Sequence, residues 1–121
     1  AATTLNIFHK HAERVRLTAI AQMVNVLQAM ILTDGEKMIL TPTYWVYDLY
    51  KPFQGATALP VEVNSPAYTL GKASVPAVTA SAGRDAGGVI HLALVNLDPN
   101  RPATVTVKLS GVTGKAVEGE F

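Results

Sequence analysis

The distribution of proline and glycine divides this sequence into two parts. From Leu5 to Lys51 there is one proline, Pro42, and one glycine, Gly35, and the rest of the seven prolines and nine glycines follow Lys51. Both residue types interrupt regular structure, so the second part must consist of short elements joined by turns. We therefore predict two domains, residues 1–54 and residues 55–121.

Composition favours a folded chain without a strong electrostatic field. The sequence is 49% apolar, and ten basic against nine acidic side chains give a formal charge of +1. The apolar content suffices for a packed core, and the balanced charge argues against nucleic acid as a partner. The lack of cysteine excludes disulfides and fits a cytoplasmic location. With neither a signal peptide nor an apolar run of spanning length, we expect no membrane partner.

Residues 1–54 predict two helices, a buried strand and a hairpin. Apolar residues recur at helical spacing near the start, behind a possible threonine N-cap: Thr3 or Thr4, then Leu5, Phe8, Ala12 and Val15. This helix should end near Arg14. Residues 15–21 then form a mostly apolar run of strand length, which after a helix favours a buried parallel strand.

The hairpin and the second helix have the clearest local signals. Asp34-Gly35, between residues 30–33 and 36–40, suits a two-residue hairpin turn. Thr41-Pro42 is a favourable helix start, and Pro52 should end that helix. Its buried stripe is predicted to be Val46, Leu49, Tyr50 and Phe53.

Residues 55–121 predict an antiparallel β-sandwich, jelly-roll-like, which makes the chain mostly β. The expected strands are 57–64, 75–82, 89–97, 103–109 and a fragment at 116–121. Alternating polar and apolar residues in 103–109 indicate a strand with one solvent-exposed face. Apolar residues on both faces of 89–97 indicate a central strand of the sheet. Pro60 keeps its strand at an edge or a bulge.

Two features indicate that the chain is incomplete by itself. The predicted strand at residues 15–21 has no parallel partner within residues 1–54, and the segment at 116–121 stops as a strand begins. Either the chain is a fragment or other polypeptide completes it.

Five stretches of the sequence carry a family resemblance: Asn6 to Ala12, Ile20 to Leu32, Thr33 to Lys37, Thr41 to Tyr44 and Val95 to Asp98. They resemble the C-terminal part of a glycoside hydrolase family 51 α-L-arabinofuranosidase. The resemblance implies that residues 1–54 end a (β/α)8 barrel with its last strand, hairpin and closing helix, and that 55–121 form a truncated sandwich. It also implies a homo-oligomeric parent that releases terminal arabinofuranosyl groups from arabinan or arabinoxylan oligosaccharides.

The resemblance singles out Gln22 as a substrate-binding residue. If residues 15–21 are the eighth barrel strand, Gln22 lies at the rim that carries the active site, where the family's matching glutamine contacts the arabinofuranose. A glutamine amide both donates and accepts hydrogen bonds, as sugar hydroxyls require. From the residues alone, Gln22 could equally satisfy backbone groups of the loop after the strand.

No catalytic residue is expected in this chain. The family uses two glutamates in a retaining mechanism, and both are implied to lie on earlier barrel strands, in the remainder of the barrel. The glutamates present here fit no such pair: Glu13, Glu36, Glu62, Glu118 and Glu120. We expect them to be solvated surface carboxylates.

The histidines and aromatic residues have structural interpretations. His9 and His11 would point about 200° apart on a helix, so they cannot share a metal, and His91 stands alone in a strand. We therefore expect no metal and no cofactor. The aromatic residues at helical spacing could stack on sugar rings, although helix packing is the commoner role: Tyr44, Trp45, Tyr47 and Tyr50.

Two positions depart from the family pattern. Sequences of the family that this chain resembles usually carry asparagine at the position of Ala19, near the barrel mouth, and histidine at that of Trp45. The alternative function is a non-catalytic carbohydrate-binding or structural β-sandwich module. Residues 57–121 contain only Tyr68 and Phe121 as aromatic residues, which weakens that alternative.

Overall fold

The computed structural model describes residues 1–121 and contains two α-helices and seven β-strands. The helices are α1 (Ala2–Lys10) and α2 (Pro42–Leu49), and a 3₁₀ turn at Lys51–Phe53 follows α2. The strands are β1 (Ile31–Asp34), β2 (Lys37–Leu40), β3 (Thr57–Leu59), β4 (Ala67–Leu70), β5 (Ala73–Pro76), β6 (Val78–Arg84) and β7 (Ile90–Asn96). Neither helix reaches the length and apolarity that a transmembrane helix requires.

All named strand pairs are antiparallel. Strands β3, β6 and β7 form one sheet in that order, and the pairs β1–β2 and β4–β5 form separate two-stranded sheets. The prediction of a mostly β chain with antiparallel strands is confirmed. The division into domains at residues 54 and 55 stays a prediction.

Helix α1 packs against the central strand β6. Small residues of β6 are buried beneath it, among them Ala80 and Ala82, and Leu5 is the buried apolar residue of the helix. The helix begins at Ala2, so neither predicted threonine is its N-cap, and it ends at Lys10 rather than Arg14. Isolated turns continue as far as Arg14.

Helix α2 begins and ends as predicted. Thr41 is its N-cap, Pro42 is its first residue, and Tyr50 follows its last turn. The 3₁₀ turn that contains Pro52 replaces further α-helix, because proline cannot supply the N–H that the helix needs. No residue of α2 is fully buried, so its predicted stripe is only partly covered.

The first hairpin also forms, with a one-residue shift. Asp34 pairs with Lys37, so the two turn residues are Gly35 and Glu36 rather than Asp34 and Gly35. Gly35 has φ +57°, the value that the first position of a type II′ turn requires and that glycine adopts without strain.

Three predicted strands do not form within this chain. Residues 15–21, 103–109 and 116–121 contain no strand, and every residue from 101 to 121 is exposed. A strand requires a hydrogen-bonding neighbour, and none lies beside these segments within the chain. Alternation of side chains indicates which faces a strand would present, but it supplies no partner.

The order of the main sheet differs from the prediction in one respect. Strand β7, predicted to be central, lies at an edge, and β6 is central. The cause is that residues 103–109 do not pair with β7. Strand β3 is an edge strand that ends before Pro60, as expected of a strand next to proline.

The core of the chain is small. Only 9 of 121 residues are buried, so the prediction that apolar content builds a packed core is wrong for this chain. Many large apolar side chains lie on two-stranded sheets or extended segments, where no second layer covers them: Leu17, Met23, Leu27, Met38, Ile39 and Leu70 are examples. The β4–β5 hairpin, turning at Gly71, was not predicted from sequence.

Candidate functional site

Gln22 begins an exposed loop of unusual backbone conformation. The loop joins residues 15–21 to β1, and three of its residues have positive φ although none is glycine: Gln22 (47°), Asn25 (57°) and Leu27 (47°). Left-handed conformation costs a residue with a Cβ atom about 1–2 kcal/mol. Such outliers often occur at functional sites, where the surrounding structure maintains them.

Hydrogen bonds fasten the middle of this loop to β1. The Asn25 side chain donates to Thr33 Oγ1 at 2.8 Å and accepts from the Thr33 N–H at 2.7 Å. The Asn25 N–H donates to the Ile31 carbonyl at 3.1 Å, and the Ile31 N–H donates to the Met23 carbonyl at 3.0 Å. Val24 and Ile31 consequently form a parallel bridge. Residues 23–25 therefore lie alongside the start of β1.

The end of the loop is fastened to the start of α2. The Thr41 hydroxyl donates to the carbonyl of Ala29 at 2.7 Å, and the Thr41 N–H donates to the carbonyl of Met30 at 3.0 Å. Ala29 is buried, at 2% exposure. Thr41 makes no side-chain cap bond to α2. One residue thus joins the Gln22 loop, the hairpin and the helix.

A second polar cluster joins α1, β6 and the end of α2. Asn6 is 1% exposed, and its Oδ1 accepts hydrogen bonds from the hydroxyls of Tyr50 (2.6 Å) and Ser81 (2.8 Å). Its Nδ2 donates to Thr79 Oγ1 at 3.2 Å, and His9 Nδ1 lies 2.9 Å from Ser81 Oγ. No buried side-chain nitrogen or oxygen atom of the chain lacks a hydrogen-bond partner. The cluster is thus a satisfied structural network.

The hydrogen bonds determine the tautomer of His9. Ser81 has one hydroxyl proton and donates it to Asn6, so His9 Nδ1 must carry the proton that it shares with Ser81. The His9 ring stacks on Phe53, with 4.7 Å between centroids. Burial lowers the pKa of His9, since the imidazolium loses hydration there, and burial raises the pKa of Tyr50 to about 12.

An open groove adjoins this cluster. It has a volume of about 650 Å³ and runs between α1, the 3₁₀ turn and the β3–β6 edge, lined mainly by apolar residues with His9, Arg16 and Tyr50 among them. Gln22 does not line it. The groove and the Gln22 loop are therefore separate features of the chain.

The remaining histidines have different surroundings. His91 Nε2 lies 2.8 Å from Asp85 Oδ2, and Asp85 Oδ1 accepts from the Val89 N–H at 2.9 Å, which stabilises the β6–β7 turn. The hydrogen bond from His91 is the main reason that the pKa of Asp85 is lowered. His11 lies on the surface, with Nδ1 3.6 Å from Glu13.

The aromatic residues of α2 contact one another or α1. Tyr44 and Trp45 meet edge to face at 5.3 Å between centroids, and Tyr50 is 5.4 Å from Phe53. Tyr50 therefore takes part in helix packing, as predicted for such spacing. Trp45 is half exposed, and Ala19 lies in the exposed extended segment.

Sequence reasoning missed the Asn6 cluster. Its members come from positions up to 75 residues apart, so no local spacing indicates them. One signal was available: Asn6 and His9 are three apart on a helix and therefore share a face, with Leu5 beside them. Polar residues on a buried helical face require polar partners elsewhere in the chain.

Comparison with known proteins identifies the family. The model of the α-L-arabinofuranosidase C-terminal domain matches residues 1–121, and the chain belongs to this family. The resemblance found in the sequence is confirmed.

The chain spans a quarter or less of the length of three relatives that it matches. It is 40% identical over 122 residues to an intracellular exo-α-L-arabinofuranosidase of Bacteroides ovatus. This match covers 100% of the chain and 24% of the Bacteroides protein. It is 31% identical over 107 residues to an intracellular exo-α-(1→5)-L-arabinofuranosidase of Bifidobacterium longum. This match covers 87% of the chain and 19% of the Bifidobacterium protein. The crystal structure of the GH51 arabinofuranosidase from Xanthomonas axonopodis pv. citri has a TM-score of 0.76 and 58% identity, covering 80% of this chain and 20% of that one.

Proposed function

We propose that this chain is the C-terminal part of a retaining α-L-arabinofuranosidase that releases terminal arabinofuranosyl groups from arabinan or arabinoxylan oligosaccharides. The observation that carries the proposal is the family match over residues 1–121, in a chain that spans only 24% and 19% of two relatives named as exo-acting arabinofuranosidases. The names of both relatives also support a cytoplasmic location for the parent.

Catalysis is assigned to the remainder of the parent. A retaining glycosidase requires two carboxyl groups about 5–5.5 Å apart across the glycosidic bond. The five glutamates of this chain are all exposed, and they occupy four separate segments: Glu13, Glu36, Glu62, and Glu118 with Glu120. None has the shielded surroundings of a catalytic general acid. The isolated chain is therefore expected to hydrolyse nothing.

Gln22 is assigned the role of a sugar-binding residue. Its amide is exposed, makes no hydrogen bond within the chain and stands at the start of a loop with three left-handed residues. A free amide can donate to one sugar hydroxyl and accept from another. Backbone strain at this point is consistent with a conformation maintained for binding.

The exposed apolar surface supports contact with the rest of the barrel. Leu17 is 84% exposed within the extended segment 15–21, whose backbone groups have no ladder partner in this chain. Strands supplied by the remainder of the parent would pair with this segment as the eighth barrel strand and cover its side chains. A homo-oligomeric parent remains part of the proposal.

The test uses the full-length parent and an aryl α-L-arabinofuranoside. We expect turnover with retained anomeric configuration by the parent and none by the 121-residue chain. Inversion, or turnover by the chain alone, would contradict the proposal. In the parent, Gln22→Ala should lower kcat/KM by about tenfold or more, because a hydrogen bond to the reacting sugar is lost.

A matched control lies in the same loop. Gln28 is exposed and makes no side-chain hydrogen bond in the chain, so Gln28→Ala should leave kcat/KM unchanged. Equal losses in the two variants would indicate that loop disturbance, rather than loss of the Gln22 amide, causes the effect. Calorimetry of the 121-residue chain with arabino-oligosaccharides should give no saturable binding, and strong binding would favour a binding module instead.

A further inference from the structure

Asn25 makes more hydrogen bonds than any other residue of the Gln22 loop. Its side chain forms both a donor bond and an acceptor bond to Thr33, at 2.8 Å and 2.7 Å, and its N–H binds the Ile31 carbonyl at 3.1 Å. These bonds are exposed, so each one alone stabilises weakly. Three bonds at one residue nevertheless determine where the loop lies against β1.

Gln22 directly precedes the residues that are attached to β1. It lies three residues before Asn25, has φ +47° and makes no hydrogen bond of its own within the chain. The docked stretch begins immediately after it, where the Met23 carbonyl accepts from the Ile31 N–H at 3.0 Å. The direction of the Gln22 side chain therefore follows from how residues 23–25 are held.

Asparagine fits this position for two separate reasons. Asparagine tolerates left-handed backbone better than most residues with a Cβ atom, and Asn25 has φ +57°. Its short amide also presents a donor and an acceptor together, which match the Thr33 hydroxyl and N–H. Glycine would keep the backbone conformation but lose both side-chain bonds.

We propose that Asn25 is a positioning residue, which directs Gln22 toward the arabinofuranosyl group by fastening the loop to Thr33. This inference rests on the proposed function, since it assigns Gln22 to sugar binding. Asn25 itself is not assigned any contact with the substrate. Its effect on the reaction must therefore disappear when the Gln22 amide is absent.

A double-mutant cycle in the full-length parent tests whether Asn25 acts through Gln22. The four proteins are the parent, Gln22→Ala, Asn25→Gly and the double variant, each assayed with an aryl α-L-arabinofuranoside. Asn25→Gly should lower kcat/KM by about tenfold, mainly in kcat, because a misplaced group costs more in the transition state than in the ground state. The double variant should be no slower than Gln22→Ala.

The possible outcomes separate this inference from the proposed function. Additive losses in the double variant, or full activity of Asn25→Gly beside an impaired Gln22→Ala, would overturn the positioning role alone. Full activity of Gln22→Ala would overturn both the sugar-binding role of Gln22 and this inference. A loss by Asn25→Gly that vanishes in the Gln22→Ala background supports it.

Two further variants distinguish loss of the hydrogen bonds to Thr33 from misfolding of the protein. Asn25→Asp keeps an acceptor for the Thr33 N–H and can accept from the Thr33 hydroxyl, so it should retain most activity. Thr33→Val removes only the hydroxyl and should give a smaller loss, again absent in the Gln22→Ala background. Full activity of Thr33→Val together with an inactive Asn25→Asp would count against the hydrogen-bond mechanism. Asn64→Gly, at an exposed asparagine without a side-chain hydrogen bond, is the control and should leave kinetics unchanged.

Discussion

The hydroxyl of Tyr50 donates a hydrogen bond of 2.6 Å to Oδ1 of Asn6, across 44 residues of sequence. Tyr50 follows α2 and Asn6 lies in α1, so this bond connects the two helices. The same Oδ1 atom accepts from Ser81 in β6. One buried amide oxygen thereby joins three elements that the sequence separates widely.

Replacement of Tyr50 by phenylalanine should destabilise the contact between α1 and α2. Asn6 Oδ1 would keep only its bond from Ser81, and the expected cost is about 1 kcal/mol. Native-state hydrogen exchange of the α1 amides in the parent enzyme would measure it as faster local opening. Tyr47→Phe is the control, because the Tyr47 hydroxyl has no partner in the chain and its removal should change little.

Gly83 should not tolerate a methyl group. A Cβ atom there would lie 3.2 Å from Ala56 Cβ and 3.3 Å from Phe53 Cδ1, closer than ordinary van der Waals contact. Gly83→Ala should therefore lower thermal stability, at a cost of about 1 kcal/mol. Gly119→Ala, where a Cβ atom would meet nothing within 4 Å, should be neutral. Equal melting temperatures for the two variants would contradict close packing of Gly83 against Ala56 and Phe53.

The Asn6 cluster, which includes His9, should lose stability as the pH falls below 6.5. Burial lowers the pKa of His9 from its ordinary value of 6.5, so at lower pH the unfolded chain takes up the proton before the folded chain does. The contribution is therefore complete above pH 6.5 and decreases toward the lower pKa of the folded state. His9→Gln keeps a donor for Ser81 and should flatten this part of the profile in urea unfolding.

Asp85 should contribute to the stability of the protein in a separate, more acidic pH range. Its pKa is lowered from 3.8, first by the hydrogen bond from His91, so its contribution is present above pH 3.8 and is lost as the pH falls through the lower folded value. Asp85→Asn should remove that acidic step and leave the dependence near pH 6.5 intact. Loss of both steps in this one variant would show that the two sites are coupled.

Removal of the Thr41 hydroxyl should loosen the Gln22 loop. Thr41→Val leaves the carbonyl of the buried Ala29 without its 2.7 Å hydrogen bond, at a cost of about 1–2 kcal/mol. Thr41→Ser keeps the hydroxyl and should be close to the parent in thermal unfolding. Since this hydroxyl makes no cap bond to α2, the helix content measured by circular dichroism should stay the same in both variants.

Local signals were sufficient for the hairpin and for α2. A glycine at the turn and a Thr-Pro pair at the helix start act through residues that are adjacent in sequence, so their effects can be recognised without knowing the fold. The shift of the turn to Gly35-Glu36 changes which residues pair, but not that they pair.

Predictions that required distant partners were less successful. The alternating pattern at 103–109 is a genuine strand pattern, yet no neighbour within the chain pairs with it. The Asn6 cluster was missed for the related reason that Ser81 and Tyr50 reach it from distant elements. Gln22 was selected through family resemblance, and its left-handed backbone could not have been inferred from its residue type.

The double attachment of Thr41 to Ala29 and Met30 means that the β1–β2 hairpin leaves and rejoins the domain at a single point. Its tip, beyond the Thr33 attachment, makes no hydrogen bond to the Gln22 loop or to α2. The tip at Gly35-Glu36 is accordingly a suitable insertion site, where a short tag or a fluorescent reporter can be placed beside the Gln22 loop without displacing it.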